Sequence, residues 1–168
     1  MRRIRNPFLD YDGYDCFGCA PDNPIGLGLE FFEDGEDIVA TWRPSEHYQG
    51  YNSVLHGGIQ ATLLDELASW VVFVKLETSG VTQGMEVSYH RPSFVGTPVT
   101  VRARLSHMEE NVAHIDAELF QGAEEPSARA HCHYFTYPER IARRKFMYPG
   151  IEAFYSGASG EYDVAEED

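Results

Sequence analysis

An α+β fold, with an antiparallel β-sheet wrapped around one long central helix, follows from three features of the sequence. The run "VLHGGIQATLLDELASWVVFVKL", Val54 to Leu76, reads as a helix that is apolar on nearly every face. Two strand-like runs precede it, and four runs with strand character follow at short spacing. A lone apolar helix has to bury itself, and the sheet is the surface available for that.

Each element has a local justification. "GLGLEFFEDGEDIVATWRP" holds two strands joined around Asp34-Gly35, a strong hairpin signal, and Pro44 ends the second. "SEHYQGYNSV" is a polar loop leading into the helix. After "ETSG" the period changes to two: Met85, Val87 and Tyr89 alternate with Glu86, Ser88 and His90. Val99, Val101, Ala103 and Leu105 then alternate with Thr100, Arg102, Arg104 and Ser106. Runs from Asn111 to Gln121 and from Ser127 to Tyr137 follow turns at "EEN" and "GAEEPS". Consecutive strands this close together pair antiparallel. Residues 1–137, with an N-terminal loop over 1–26, are expected as a single domain. Residues 138–168 are expected as an extension: "ERIARRKFMYPGIEAFY" reads as a short helix with an aromatic clasp, and "SGASGEYDVAEED" as a flexible acidic end.

Composition narrows the function classes. The chain has 168 residues, which suits one domain with a sizeable core. Its formal net charge is -14, with 13 basic against 27 acidic residues, which argues against nucleic acid or an anionic membrane as partner. The longest apolar run, Trp70 to Val74, is too short to span a bilayer. "MRRIRNPFLDYDGYD" has basic residues with no apolar run behind them, so no signal segment is read there. Cys16, Cys19 and Cys132 are too few for a disulfide framework, and a cytoplasmic location is expected. Cys16 and Cys19 form a lone CxxC. Zinc takes four ligands, and only the distant "HCH", His131 to His133, offers more, so no metal is expected. No thioredoxin-like pattern surrounds the pair. "GLGLEF" is not followed by a helix, so no dinucleotide site is read there, and no cofactor is expected.

The central helix carries a contradiction that points to chemistry. Gln60, Thr62, Asp65, Glu66 and Ser69 form a narrow polar stripe among apolar neighbours. A partly enclosed carboxylate there costs desolvation energy, which proteins commonly accept at functional sites. Gly57 and Gly58 sit where the helix begins, although glycine weakens a helix interior by about 1 kcal/mol relative to alanine. At a first turn they let a ligand approach free backbone N–H groups, where the helix dipole favours negative charge. That is the arrangement of an oxyanion hole. Gly57 and Asp65 are eight residues apart, roughly 12 Å along the axis at about 1.5 Å per residue. One helix cannot present both to the same carbonyl, so shared catalysis requires two copies of the helix and therefore a homodimer.

The stretches "CFGCAPDNPIGLGLEF", "HYQGYNSVLHGGIQATLLDE" and "GVTQGMEVSYHRP" followed by "VGTPVTVRARL" resemble the hotdog-fold acyl-CoA thioesterases of the phenylacetate-degradation and 4-hydroxybenzoyl-CoA type, over about Cys16 to Tyr137. The resemblance implies a hotdog fold, with two protomers side by side as a dimer or a dimer of dimers. It implies that Gly57 polarises the thioester carbonyl, that Asp65 of the partner subunit acts as base or nucleophile, and that Thr82 places the attacking water. His56 is read as an orienting, hydrogen-bonding residue. Where some relatives have Asn six positions before the His, this chain has Gly50, with Gln49 and Asn52 as substitutes. Gly58, Asn52, Gln49 and Arg91 are the candidate substrate-binding residues, with Arg102, Arg104 and "RIARRK" as further candidates for coenzyme A phosphates. Trp70, Phe73, Phe94 and Tyr89 are candidates for the acyl pocket. Glu66 is an alternative acid, though a helical step of about 100° turns it to another face. The alternative function is a non-catalytic hotdog module that binds acyl-CoA or only assembles.

Overall fold

The structure, a computed structural model, describes residues 1–156; most of the expected acidic end lies outside them. A seven-stranded antiparallel sheet packs against one long helix. The strands are β1 (Arg2–Ile4), β2 (Phe31–Asp34), β3 (Asp37–Trp42), β4 (Gly80–Tyr89), β5 (Val99–Glu109), β6 (Val112–Phe120) and β7 (Ala128–Thr136). The helices are α1 (Gly57–Lys75) and α2 (Glu139–Phe146), and the spatial strand order is β1-β2-β3-β5-β6-β7-β4.

The sequence suggests six strands, and the seventh is β1, inside the stretch expected as loop. Its three residues pair with β2, Ile4 opposite Phe31, and Ile4 is buried. A single inward residue carries no periodicity, so this strand has no local signature. The β2–β3 hairpin closes at Asp34 opposite Asp37, which puts Gly35-Glu36 in the loop, one residue later than the sequence suggests. Gly35 has φ of 62°, a conformation glycine adopts without strain, as the first loop residue of a type II′ turn requires.

Helix α1 is buried on two sides, which explains its near-uniform apolarity. Leu63, Leu64, Leu67, Val71 and Val74 lie in the core with the inward rows Val99–Val101–Ala103, Ala113–Ile115–Ala117 and Ala130–Cys132–Tyr134. The C-terminal half of the helix is also covered by aromatic residues, from the segments before α1 and after β7, which pack on Trp70 and Phe73. Trp70 stacks on Phe31 at 3.9 Å and meets Phe154 edge-on at 5.8 Å. Phe154 also lies against Phe8, Phe73 and Tyr148, and is itself completely buried. The segment after β7 is therefore part of the core, tied down further by the Arg5 N–H donating to the Phe154 carbonyl.

Two β-bulges re-aim side chains. By strict alternation with Met85 and Val87, Thr82 would face away from α1. A register shift between Thr82 and Gly84 reverses the parity, so Thr82 pairs with Tyr134 on the inner face. A second shift, between Leu105 and His107, pairs His107 with His114 on the outer face.

Candidate active site

The start of α1 is built from small residues packed around one imidazole. His56 is the N-cap, and its Nδ1 accepts from the Gly58 N–H at 2.9 Å. A Cβ at Gly58 would lie 3.1 Å from that nitrogen, and one at Gly50 would lie 3.2 Å from His56 Cδ2. Gly50 therefore stands where it does because the ring of His56 fills the space of a side chain. With Nδ1 occupied as an acceptor, neutral His56 carries its proton on Nε2, which makes it a donor rather than a base. The Gly58 amide is consumed by this cap. The Gly57 N–H has no partner among the described residues, so it is the one left to meet a ligand at the positive end of the helix dipole. Tyr89 at the end of β4 donates to the Gly57 carbonyl at 2.7 Å and closes one side.

These residues line a cavity of about 720 Å³ that includes Gln49, Gly50, His56, Gly57, Gln60 and Arg91. Gln60 is 4% exposed; its Nε2 donates to the Leu55 carbonyl at 3.1 Å, and its Oε1 has no partner among the described residues. Gln49 is turned onto its own loop, accepting from the Ser53 N–H at 2.9 Å. Arg91 is in the wall, with its guanidinium on the Glu125 carbonyl. Asn52 is exposed and does not line the cavity. Tyr89 is the one acyl-pocket candidate in this wall, whereas Trp70 and Phe73 belong to the aromatic cluster behind α1.

Asp65 forms a second, separate constellation. Thr82 Oγ1 donates to Asp65 Oδ1 at 3.0 Å, and the Tyr134 hydroxyl lies 2.6 Å from the same oxygen. Oδ2 accepts no hydrogen bond among the described residues. Tyr134 is a site residue that sequence reasoning missed. A signal existed: it sits in the inward row of β7, where a buried tyrosine hydroxyl requires a partner.

Glu66 has a different fate from Asp65. It is covered by the CxxC segment so closely that a Cβ at Gly18 would sit 2.4 Å from its carboxylate. Trp70 Nε1 donates to Glu66 Oε1 at 3.2 Å, and Cys16 Sγ is 3.7 Å from that oxygen. Burial pushes the Glu66 carboxyl up to about 7. A hydrogen bond from Cys19, 3.1 Å away, lowers the Cys16 thiol to about 5. This enclosed group faces the N-terminal segment rather than Thr82, which leaves Asp65 as the accessible acid.

The remaining basic candidates are largely engaged. Arg102 pairs with Asp34 at 2.8 Å and Asp37 at 2.5 Å, and Arg104 pairs with Asp37 at 2.6 Å. Burial alone would raise the Asp37 carboxyl, but the two guanidinium groups hold it below its ordinary range. Arg143 pairs with Glu139 at 2.7 Å, while Arg140, Arg144 and Lys145 of α2 are exposed.

The chain thus brings Gly57, His56, Gln49 and Arg91 together around one cavity and Asp65, Thr82 and Tyr134 together further along α1, without joining the two groups. No helix among the described residues is long and apolar enough to cross a membrane.

Comparison with known proteins agrees with this architecture. Residues 52–128 match the sequence profile of the thioesterase superfamily. An uncharacterised protein of Schizosaccharomyces pombe is 26% identical over 97 residues, which cover 56% of this chain and 55% of that protein. The chain therefore spans about half the length of the curated relative it matches. Among solved structures, a hypothetical thioesterase of Streptococcus pneumoniae with coenzyme A superposes with a TM-score of 0.61 at 20% identity, covering 66% of this chain and 90% of that one. The PaaI protein of the E. coli phenylacetic acid degradation operon gives 0.61 at 18% identity, covering 67% and 82%. The central helix and the antiparallel sheet give this chain the hotdog fold of these solved structures, and its segment from the loop before α1 to the start of β7 is similar to the thioesterase superfamily.

Proposed function

We propose that the protein hydrolyses acyl-CoA thioesters to the free acid and coenzyme A, at sites shared between two copies of the chain. The observation that carries this reading is the state of Asp65: one carboxylate oxygen is fixed by Thr82 and Tyr134, and the other has no hydrogen-bond partner among the described residues. A carboxylate so oriented is prepared to deprotonate a water or to attack a carbonyl. The oxyanion that forms needs a donor, and the unpaired Gly57 N–H at the helix N-terminus is suited to it, with His56 Nε2–H beside it.

Two copies reconcile the separation of the two groups. Strand β4 is the last strand of the sheet, ten residues long, with Val81 and Tyr89 among its exposed side chains. A long open edge of this kind favours pairing with another strand. Pairing of two β4 edges about a twofold axis brings the two α1 helices side by side in opposite directions, so Asp65 of the partner subunit approaches Gly57 and the cavity. Two such dimers would form the dimer of dimers. In the cavity, the free Gln60 Oε1 is placed to accept from an amide N–H of the pantetheine arm. The coenzyme A in the pneumococcal relative and the acetyl-CoA in the Streptococcus mutans protein smu.793 support that ligand class. The three free thiols suit a reducing cytoplasm.

The test uses two inactive variants, His56→Ala and Asp65→Asn, co-expressed with different tags. In a mixed dimer one site collects both lesions and the other neither. Random pairing makes about half of the dimers mixed, so about a quarter of all sites are intact. Acyl-CoA hydrolysis, followed by thiol release across a panel of acyl groups, should reappear in the doubly tagged fraction. A doubly tagged fraction as inactive as its parents rejects the shared site. Binding of acyl-CoA by the wild type with no thiol release rejects catalysis in favour of a binding module.

A further inference from the structure

We propose that the outer face of the sheet, opposite α1, carries a binding site for a divalent transition-metal ion, held by His114, His131 and His133. Neighbouring strands bring the three together: β6 and β7 pair His114 with His133 and Asp116 with His131. One ligand nitrogen from each ring can be chosen so that all three lie within 4.8 Å of one another. His114 Nδ1 and His131 Nε2 face each other at 3.2 Å. Two nitrogens bound at about 2.0–2.1 Å to one tetrahedral ion stand roughly 3.3 Å apart, so this spacing is already that of a shared metal.

The far sides of two of the rings strengthen the assignment. His131 Nδ1 is 2.7 Å from Asp116 Oδ1, so the proton of the neutral ring sits there, and Nε2 presents its lone pair to the cluster. His114 Nε2 is buried, makes no hydrogen bond among the described residues and lies 3.4 Å from Glu109 Oε2. If Nδ1 binds a metal, Nε2 carries the proton and Glu109 is its acceptor. A carboxylate behind each of two ligand histidines is the arrangement that fixes tautomer and ring orientation in metal sites. The β5 bulge adds His107, stacked on His114 with ring centroids 4.2 Å apart, which shields one side of the cluster.

Imidazole donors select zinc, copper or nickel over magnesium and calcium. With three protein ligands, a fourth position is left for water. The ion would clamp β6 to β7 away from Asp65, so binding and hydrolysis are separable. It would also be distinct from the Cys16, Cys19 and Glu66 group, whose ligand atoms likewise lie within 4.8 Å of one another.

The experiment is calorimetric titration of chelator-treated, full-length protein with zinc chloride, repeated with cobalt to read coordination from its visible absorption. The expected result is one ion per chain with Kd below about 1 µM, and a four-coordinate cobalt spectrum. His131→Ala should weaken binding at least about tenfold, and Asp116→Asn, which leaves all three ligands in place, about 10–100-fold. Asp116 is on the surface, so its variant remains informative even if His131→Ala fails to fold. The double variant Cys16→Ser, Cys19→Ser should bind as the wild type does. Absence of binding in the wild type overturns the proposal. So does binding that both His131→Ala and Asp116→Asn retain, or that the double cysteine variant loses.

Discussion

The Tyr134 hydroxyl lies 2.6 Å from Asp65 Oδ1 and 2.8 Å from the Asp65 backbone carbonyl, so a strand residue controls both the side chain and the backbone of the helix position. Burial and the Asp65 charge raise the Tyr134 phenol, which keeps it protonated as a donor at any physiological pH. Tyr134→Phe should therefore free the carboxylate to rotate. The expected loss is about tenfold in kcat, the worth of one hydrogen bond of about 1.4 kcal/mol, with KM little changed. Steady-state kinetics decide it. An equal loss in Tm and no loss in kcat would assign Tyr134 to stability alone.

Asp65→Asn keeps an oxygen for Thr82 and Tyr134 to hold but removes the proposed base. Hydrolysis should fall by at least about 100-fold, while the melting temperature stays within a few degrees of the wild type. Glu66→Gln in the same assay should retain most activity, because Glu66 faces the CxxC segment. The reverse pattern would move the acid to Glu66.

Glu66 also predicts a pH dependence of stability. Its carboxyl ionises at about 7 in the folded protein against an ordinary value of 4.5. Below about 4.5 it is protonated in both states, and above about 7 it is charged in both. Between these limits the folded state loses stability as pH rises, by on the order of 3 kcal/mol for this group. Glu66→Gln keeps an oxygen for Trp70 and cannot ionise. Its Tm should exceed that of the wild type at pH 8, by roughly 5–10 °C, and the gap should close as pH falls toward 4.5. A gap that is constant with pH would show that Glu66 does not titrate in this range.

Gln60→Leu tests the cavity. Leucine removes the unpaired Oε1, and with it the proposed acceptor for a pantetheine amide. KM for acyl-CoA should rise about three- to tenfold with kcat nearly unchanged, the signature of lost uniform binding. Stability should change little, because removal of the buried unsatisfied Oε1 is offset by loss of the hydrogen bond from Gln60 Nε2 to the Leu55 carbonyl. A drop in kcat at constant KM would place Gln60 in the catalytic step instead.

Much of the fold is legible in the sequence because it is local. The His-Gly-Gly boundary, the apolar run to Leu76 and the alternation of Val99–Leu105 depend on neighbours within one or two turns or a few strand residues. The same holds for the contrast that singles out Gly57 and Asp65, since a mid-helix acid and paired glycines at a helix start are visible without tertiary contacts. The geometry of one α-helix was also enough to argue that these two cannot serve one carbonyl from a single chain.

What the tertiary structure decided lies at long sequence separation. Strand β4 follows the helix yet pairs with β7 rather than β5, because residues 90–98 carry the chain across the sheet. A one-residue bulge turns Thr82 inward, and periodicity cannot announce it because the parity on either side looks regular. Tyr134 reaches Asp65 from 69 residues away, and Cys16 reaches Glu66 from 50. His114, His131 and His133 become one cluster only when β6 and β7 are in register. Local patterns determine which face of an element is apolar; only the register between elements determines which polar groups on those faces meet.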